Sequence, residues 1–291
     1  MKQSDCAQGS AQMASDPVLR KWIPDGAVWE RLTGGRTNLL WRVNSGDDVL
    51  VVKLFVESAA TPMFPNDPDA EVAALRCLDT TGLAPRLIGD VETRQGRCVI
   101  YRHVEGTQPM VTPTGMAHAL ASLHRIPPFK GMRQPPSGSR AVLGQGDRIL
   151  AMCRDSGRLA TFRPTVAVEP VRQTVFLHGD PVPANAVPTD TGVCLIDWQC
   201  PAQGDPAEDL AVFLSPAMQL LYGAGSLSRI EVESFLAAYG DATVTDRYRS
   251  LASAFHWRMA AYCQWRSEQS GSDGRDSEAL ELEIAALKDA S

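Results

Sequence analysis

HGDPVPAN at residues 178–185 and LIDW at residues 195–198 are the most informative runs of this chain. Asp180 stands in a turn after a short apolar run, Asn185 follows five residues later, and a second apolar run delivers Asp197. Taken singly, each residue is better explained as a turn or cap residue, because Asp and Asn readily hydrogen-bond nearby backbone. Taken together, they indicate three oxygen-bearing side chains that converge after two strands.

Such a set of oxygen atoms suits phosphoryl transfer. Magnesium prefers carboxylate and amide oxygens and keeps room for water and phosphate, so Asn185 and Asp197 are candidate metal ligands. Asp180 is a candidate catalytic base, which would orient a substrate hydroxyl and take its proton during attack on a phosphate.

The first third of the chain predicts an antiparallel sheet with one helix. Strand-like runs cover residues 29–32, 39–43, 49–55, 85–91 and 97–104, and a helical pattern covers residues 69–80. Lys53 lies within an apolar strand, where its charge needs a partner, and Glu71 on the predicted helix is the natural one. Glu57 is the rival partner, and an exposed charge on an edge strand is the simpler alternative for Lys53.

The glycine-containing turn LTGGRTN at residues 32–38 precedes this lysine. Gly34 and Gly35 would let backbone amides approach phosphates, and Thr37 or Asn38 would add donors. A glycine pair between strands is usually only a hairpin turn, and neither GxGxxG nor the P-loop pattern occurs here.

The rest of the chain is predicted to be mainly helical. Helical patterns cover residues 115–125, 147–159, 210–222, 229–239, 246–267 and 277–288, and short strands cover residues 174–177 and 193–198. The proline-, glycine- and serine-rich stretch at residues 127–146 is predicted to be a loop.

Composition excludes several classes of protein. A net charge of −6 argues against a general nucleic-acid binder, and 44% hydrophobic residues suffice for a sizeable core. The seven cysteines lack metal-ligand spacing and indicate reduced thiols. The chain shows no secretory signal pattern and no long apolar run, so we expect a cytoplasmic protein without a membrane partner.

The motifs resemble those of the aminoglycoside phosphotransferase and choline kinase family. The resemblance rests on HGD-x4-N, on the Asp-Trp pair that follows it, and on GDPAEDLA at residues 204–211, and it spans roughly residues 29–239. The GGxTN wording followed by Trp41 is closer to choline, ethanolamine and thiamine kinases than to antibiotic-resistance enzymes. The run Pro181–Ala184 and the residues Gln199 and Cys200 depart from the usual family pattern.

The resemblance implies an α+β, bilobal, protein-kinase-like fold with a five-stranded antiparallel sheet lobe and a larger helical lobe. It also implies ATP and Mg²⁺ as cofactors, with GTP left open. Asp180 would be the base, Asn185 and Asp197 the metal ligands, and Lys53 the phosphate clamp held by Glu71. The connector residues Arg102, His103 and Val104 would offer backbone groups to the adenine.

The phosphate acceptor is expected to be a small hydroxyl compound. Trp257, Tyr262 and Trp265 lie on a late helix and could hold a cationic group through their rings, although core packing is the better explanation of any single ring. Asp205 is a candidate for attracting a cation, with helix capping as its alternative role. The rings favour a choline-, ethanolamine- or thiamine-like acceptor, whereas acidic residues such as Asp205 would suit an aminoglycoside, which is the alternative.

The predicted division of the chain is an N-terminal extension at 1–26, a nucleotide-binding lobe at 27–105 and a catalytic, substrate-binding lobe at 106–291. A nucleotide-binding pseudokinase with a regulatory role would have the same fold, but the intact Asp180, Asn185 and Asp197 argue against it. A protein kinase is disfavoured because the HRD and DFG motifs are absent.

Overall fold

The computed structural model describes residues 12–32, 37–46, 48–108, 110–223, 225–269, 272 and 274–290, without the side chain of Ser58. The chain divides into two compact units. The first runs to Gly106 and includes Ile196–Cys200, and the second contains Thr107–Leu195 and the chain from Pro201 onward. Gly34 and Gly35 lie outside the described residues, and the three-part division remains a prediction.

The first unit contains one five-stranded antiparallel sheet in the order β1-β2-β3-β5-β4. The strands are β1 (Val28–Leu32), β2 (Leu39–Ser45), β3 (Asp48–Leu54), β4 (Leu87–Thr93) and β5 (Gly96–Arg102). Helix α1 (Pro68–Leu78) begins after Asp67, whose carboxylate accepts hydrogen bonds from two backbone amides of the first turn. The predicted sheet with one helix is confirmed. The last strand ends at Arg102 rather than at residue 104.

The segment before the sheet is part of the same core. A 3₁₀ turn at Pro17–Lys21 follows Asp16, and Met13, Leu19 and Ile23 are buried in one cluster with core residues of the sheet such as Trp41. The Asp16 carboxylate also accepts a hydrogen bond from the amide of Arg94 at 3.0 Å. Residues 12–27 therefore contribute to the folded sheet unit, although the motif resemblance begins only after them.

The second unit is mainly helical. Its helices are α2 (Pro113–Leu123), α3 (Ser139–Leu150), α4 (Gly157–Ala160), α5 (Ala207–Leu214), α6 (Pro216–Tyr222), α7 (Arg229–Tyr239), α8 (Ala242–Ser267) and α9 (Gly274–Asp289). Two small antiparallel pairs complete it: β6 (Val175–Leu177) pairs with β9 (Ala202–Gly204), and β7 (Ala186–Thr189) pairs with β8 (Gly192–Leu195).

The loop predicted at 127–146 is wrong in its second half. Helix α3 begins at Ser139, eight residues earlier than the predicted helix, and it ends at Leu150. Its glycines suggested a loop, but Gly146 lies against Trp257, where an added Cβ would be 2.7 Å from the indole nitrogen. The helix predicted at 210–222 is also divided, because Ser215 is extended before Pro216 and caps α6.

The C-terminal helix α9 is anchored by a buried carboxylate. Glu283 is fully buried, and one of its oxygens accepts hydrogen bonds from the hydroxyl of Ser215 and from the amide of Ala217. Its other oxygen lies 2.7 Å from Nδ1 of His256 on α8. The helix is thereby attached to α6 and α8 by polar contacts as well as by apolar packing.

The contact between Trp22 and β4 provides a test of the N-terminal packing. An added Cβ at Gly89 would lie 2.4 Å from the Trp22 ring, so Gly89→Ala should displace the indole. We expect the substitution to lower the free energy of unfolding by about 1–3 kcal/mol, measured by denaturant titration. The loss should shrink to below about 0.5 kcal/mol in a Trp22→Ala background. An equal loss in both backgrounds would contradict the contact.

Candidate active site

A buried cluster of charges lies at the centre of the first unit. Lys53 on β3 and Glu71 on α1 are both 1% exposed, and the Lys53 ammonium donates to Glu71 Oε2 and to Asp197 Oδ1. Burial alone would lower the pKa of Lys53, but the two carboxylates outweigh it and raise the pKa, so the ammonium stays charged. Burial raises the pKa of Glu71, and the charge of Lys53 opposes that shift. The rival partner, Glu57, is exposed in a 3₁₀ turn after the strand.

Asp197 has an unusual backbone conformation. It has φ of 64°, and among the described residues no other non-glycine residue has a positive φ. This left-handed conformation is unfavourable for residues with a Cβ and persists only where surrounding contacts enforce it. Such strain is characteristic of functional sites, and here it orients the carboxylate toward Lys53.

Thr37 and Asn38 join this cluster through a residue that the sequence analysis did not assign to the site. The Asn38 amide nitrogen donates to Gln199 Oε1 at 2.8 Å, and the Thr37 hydroxyl lies 3.4 Å from the same oxygen. Gln199 was visible in the sequence only as a departure from the family pattern. Its partners are more than 160 residues away, so local spacing gives no signal for them.

The connector after β5 combines a residue that is bonded to the sheet with one whose backbone is not hydrogen-bonded to described residues. The amide of His103 donates to the carbonyl of Val49 on β3 at 2.8 Å, which continues the sheet by one residue. Within the described ranges, the backbone of Val104 makes no hydrogen bond. Burial, aided by the charge of Arg42, lowers the pKa of His103 and favours its neutral form. Arg102 is exposed and pairs with Asp48 at 2.9 Å.

In the second unit, strand β6 leads directly into the turn that carries Asp180 and Asn185. The Asp180 amide donates to Nδ1 of the buried His178 at 3.2 Å. The Asn185 amide nitrogen donates to the Asp180 carbonyl at 3.0 Å and lies 3.5 Å from its carboxylate. His178 thus accepts a hydrogen bond within the turn, and Asn185 closes the turn.

Asn185 and Asp197 both carry oxygen atoms of the kind that binds a hard cation. The Asn185 amide nitrogen is used inside its turn, so its carbonyl oxygen is the atom left for a ligand. Asp197 binds Lys53 through one carboxylate oxygen, and its side chain is 29% exposed. Among the described residues, His, Cys, Asp and Glu side chains form no metal-binding group of three or more. Asn185 and Asp197 thus each offer an oxygen atom of the kind that Mg²⁺ prefers.

Asp209 holds the backbone just before Asp180. Its carboxylate accepts hydrogen bonds from the amides of His178 at 2.8 Å and Gly179 at 2.9 Å. It also lies 3.1 Å from Nε2 of His124, whose other ring nitrogen is 2.8 Å from the Tyr239 hydroxyl. Burial alone would raise the pKa of Asp209, but His124 and the other partners outweigh it and lower the pKa. The GDPxxDLA motif signalled Asp209, whereas His124 and Tyr239 carried no sequence signal.

Two of the substrate candidates are used within the fold. Asp205 is 1% exposed, and its oxygens accept hydrogen bonds from the Ala207 amide at 3.1 Å and from Arg247 Nε at 2.7 Å. Trp257 is 1% exposed and packs against α3. The contacts of Asp205 match its alternative role in helix capping, and those of Trp257 match its alternative role in core packing.

The other two aromatic candidates form a pair. The rings of Tyr262 and Trp265 are stacked, with centroids 5.9 Å apart and planes 26° apart. Tyr262 is largely buried, whereas Trp265 is half-buried. Part of the Trp265 ring is therefore exposed on α8, next to the buried Tyr262.

The chain belongs to the phosphotransferase enzyme family, whose model matches residues 28–253. That membership confirms the predicted family and agrees with the predicted class, a phosphotransferase that acts on an alcohol group. No protein of curated function matches the chain. Within the described residues, no helix has the length and apolarity that crossing a membrane requires.

Solved structures confirm the kinase-like fold. A choline/ethanolamine kinase family protein from Mesorhizobium loti has a TM-score of 0.64 at 17% identity, with 97% of this chain and 99% of that chain covered. Choline kinase from Cryptosporidium parvum Iowa II has a TM-score of 0.63 at 12% identity, with 99% and 95% covered. A spectinomycin phosphotransferase in complex with ADP and spectinomycin has a TM-score of 0.58 at 13% identity, with 94% and 97% covered.

Lys53→Met tests the charge cluster. Removing the ammonium leaves Glu71 buried without a cation, and we expect a loss of about 3–5 kcal/mol in the free energy of unfolding. The pKa of Glu71 is already raised by burial and should rise further, so the folded state would hold a proton that the unfolded state releases. The loss should therefore be smaller at pH 5 than at pH 8, as measured by urea titration at both values. A Lys53→Met/Glu71→Gln variant should show little of this pH dependence, and an unchanged pH dependence would contradict the assignment.

Asp209→Asn tests the anchor of the turn. An asparagine amide group would face backbone donors that now share a carboxylate, so we expect a loss of about 2–4 kcal/mol in the free energy of unfolding. The matched control is Asp246→Asn on the exposed start of α8, which should change stability by less than about 0.5 kcal/mol. Equal effects in chemical denaturation would show that Asp209 does not hold the turn.

Proposed function

We propose that the protein is an ATP- and Mg²⁺-dependent kinase that transfers the γ-phosphoryl group to a hydroxyl of a small, cationic metabolite. The observation that carries the proposal is the buried ammonium of Lys53 between two carboxylates, one of them on the strained Asp197. A buried ion cluster is a weak source of stability compared with apolar residues in place of all its members, whereas its ammonium can hold phosphates. The ADP bound to the spectinomycin phosphotransferase of similar fold supports nucleotide use.

Each residue has a distinct role in the proposed reaction. Lys53 binds the nucleotide phosphates, and Glu71 keeps its ammonium in place. Thr37 contributes a donor at the end of the glycine-containing turn, and the backbone of Val104 is available to the adenine. Asn185 and Asp197 would hold Mg²⁺, which when bound neutralises the charge of the phosphates.

Asp180 would act on the acceptor. Its carboxylate orients the hydroxyl and takes the proton as the oxygen forms a bond to the γ-phosphorus. The bond between that phosphorus and the bridging oxygen breaks, and ADP leaves with the electron pair. His178 and Asn185 keep the Asp180 backbone in place, so the base enters the reaction already oriented.

A small cationic alcohol fits the described residues better than a large polycation. The stacked Tyr262 and Trp265 rings offer a surface for an ammonium group, as in choline- or thiamine-like compounds. Asp205 and Glu208 are paired with Arg247 and Arg258, so they offer little free charge to an aminoglycoside. An aminoglycoside or another hydroxyl compound remains the alternative acceptor.

The decisive experiment is a screen of ADP release from ATP, or of GDP release from GTP, with Mg²⁺ and candidate acceptors. The acceptors are choline, ethanolamine, thiamine, homoserine, sugars and aminoglycosides, and we expect turnover with a small cationic alcohol. Asp180→Asn should lower kcat by about 10²–10⁴-fold while changing ADP affinity less than about threefold. Asp190→Asn, an exposed aspartate of the β7–β8 turn, is the matched control and should keep full activity.

Two outcomes would overturn the proposal. Full activity of Asp180→Asn would exclude this residue as the base. Tight ADP binding without turnover of any acceptor would instead support a regulatory pseudokinase.

A further inference from the structure

Gln199 connects three segments of the first unit. It is 2% exposed and lies two residues after Asp197. Its side-chain oxygen accepts the hydrogen bond from Asn38, and its backbone carbonyl accepts one from the amide of Asp67 at 3.0 Å. Asp67 is the residue that caps α1, the helix that carries Glu71. The three segments are thus the turn before β2, the start of α1 and the segment that carries Asp197.

Asn38 extends the connection to the end of β3. Its side-chain oxygen accepts hydrogen bonds from the Val56 amide at 3.1 Å and from the Asn66 side chain at 2.9 Å. Asn66 also donates to the Val56 carbonyl at 2.9 Å, and its own oxygen accepts from Asn38 at 2.8 Å. Val56 lies three residues after Lys53. We call these hydrogen-bonded residues the amide network. Each charged residue of the cluster has a member of this network close to it in sequence: Val56 follows Lys53, Asp67 precedes Glu71, and Gln199 follows Asp197.

The network has the physical properties of a positioning device. Amide hydrogen bonds are directional, and a buried amide group that loses its partner is destabilising. Asp197 has a positive φ, so its segment has other conformations within reach that would move the carboxylate. The two contacts of Gln199 fix this segment both to the turn at Thr37 and Asn38 and to the start of α1. The fixed distance between that turn and Asp197 depends on them.

We propose that Gln199 is a positioning residue that couples the phosphate-binding turn to the Asp197 carboxylate, so that nucleotide and Mg²⁺ bind cooperatively. This inference rests on the proposed function, because it requires that the turn contacts phosphates and that Asp197 binds the metal. Gln199 itself touches neither in this role. It acts by holding both partners in the arrangement in which one Mg²⁺–nucleotide complex satisfies them together.

The test measures the coupling directly. The ADP dissociation constant of the full chain is determined by calorimetry with and without Mg²⁺, and the ratio of the two values is the coupling factor. For Gln199→Leu, which cannot accept the Asn38 hydrogen bond, we expect this factor to fall at least fivefold relative to the unsubstituted protein. Gln199→Glu keeps an acceptor oxygen and should retain the factor within about threefold.

Two controls separate positioning from general destabilisation. Gln95→Leu is the same substitution at an exposed turn of the same unit and should leave the coupling factor unchanged. Gly89→Ala should lower stability without changing the factor. If Gln199→Leu does not fold, Asn38→Leu removes the donor of the same hydrogen bond and should lower the factor similarly.

The possible results distinguish this inference from the proposed function. A coupling factor that persists in the folded Gln199→Leu variant, or in Asn38→Leu, overturns the positioning role. A factor that falls equally in Gly89→Ala overturns it as well, because destabilisation alone would then be sufficient. If the unsubstituted protein binds ADP with no effect of Mg²⁺, the metal dependence in the proposed function fails instead.

Discussion

The buried ammonium of Lys53 is the charge on which the arrangement of the first unit depends. A buried ammonium is stable only beside opposite charge, and each carboxylate that neutralises it must lie within hydrogen-bond distance. Here β3 supplies the lysine, α1 supplies Glu71, and a segment 144 positions away supplies Asp197. The need to neutralise one charge therefore specifies where a strand, a helix and a distant segment lie relative to one another.

Several buried carboxylates of the second unit are occupied by donors within the fold. Asp209 holds backbone amides, Glu208 pairs with Arg258 at 2.7 Å, and Glu283 anchors the last helix. These residues contribute to the net charge of −6 without offering free charge to a ligand. Net charge is consequently a weaker guide to the acceptor than the sequence suggests, and the aromatic pair on α8 is the better one.

The sheet and the Lys53–Glu71 pair were open to prediction because their signals are local. Alternating apolar strands, turn residues and an apolar strand with one lysine can be identified within short windows. Gln199, His124 and Tyr239 could not be found in this way, since their partners are fixed only by the tertiary fold. Gly146 misled the prediction for a related reason: it permits the close approach of Trp257, and sequence alone does not distinguish that use from a loop.

The segment at residues 12–27 lies outside the family match but inside the core. The family model begins to match at residue 28, yet Met13, Leu19 and Ile23 fill the same core as the sheet. The core of the sheet unit therefore begins before the first residue of the family match. A chimaera that exchanged the sheets of two relatives at residue 28 would leave the transplanted sheet without its own cover, so the crossover belongs before Met13.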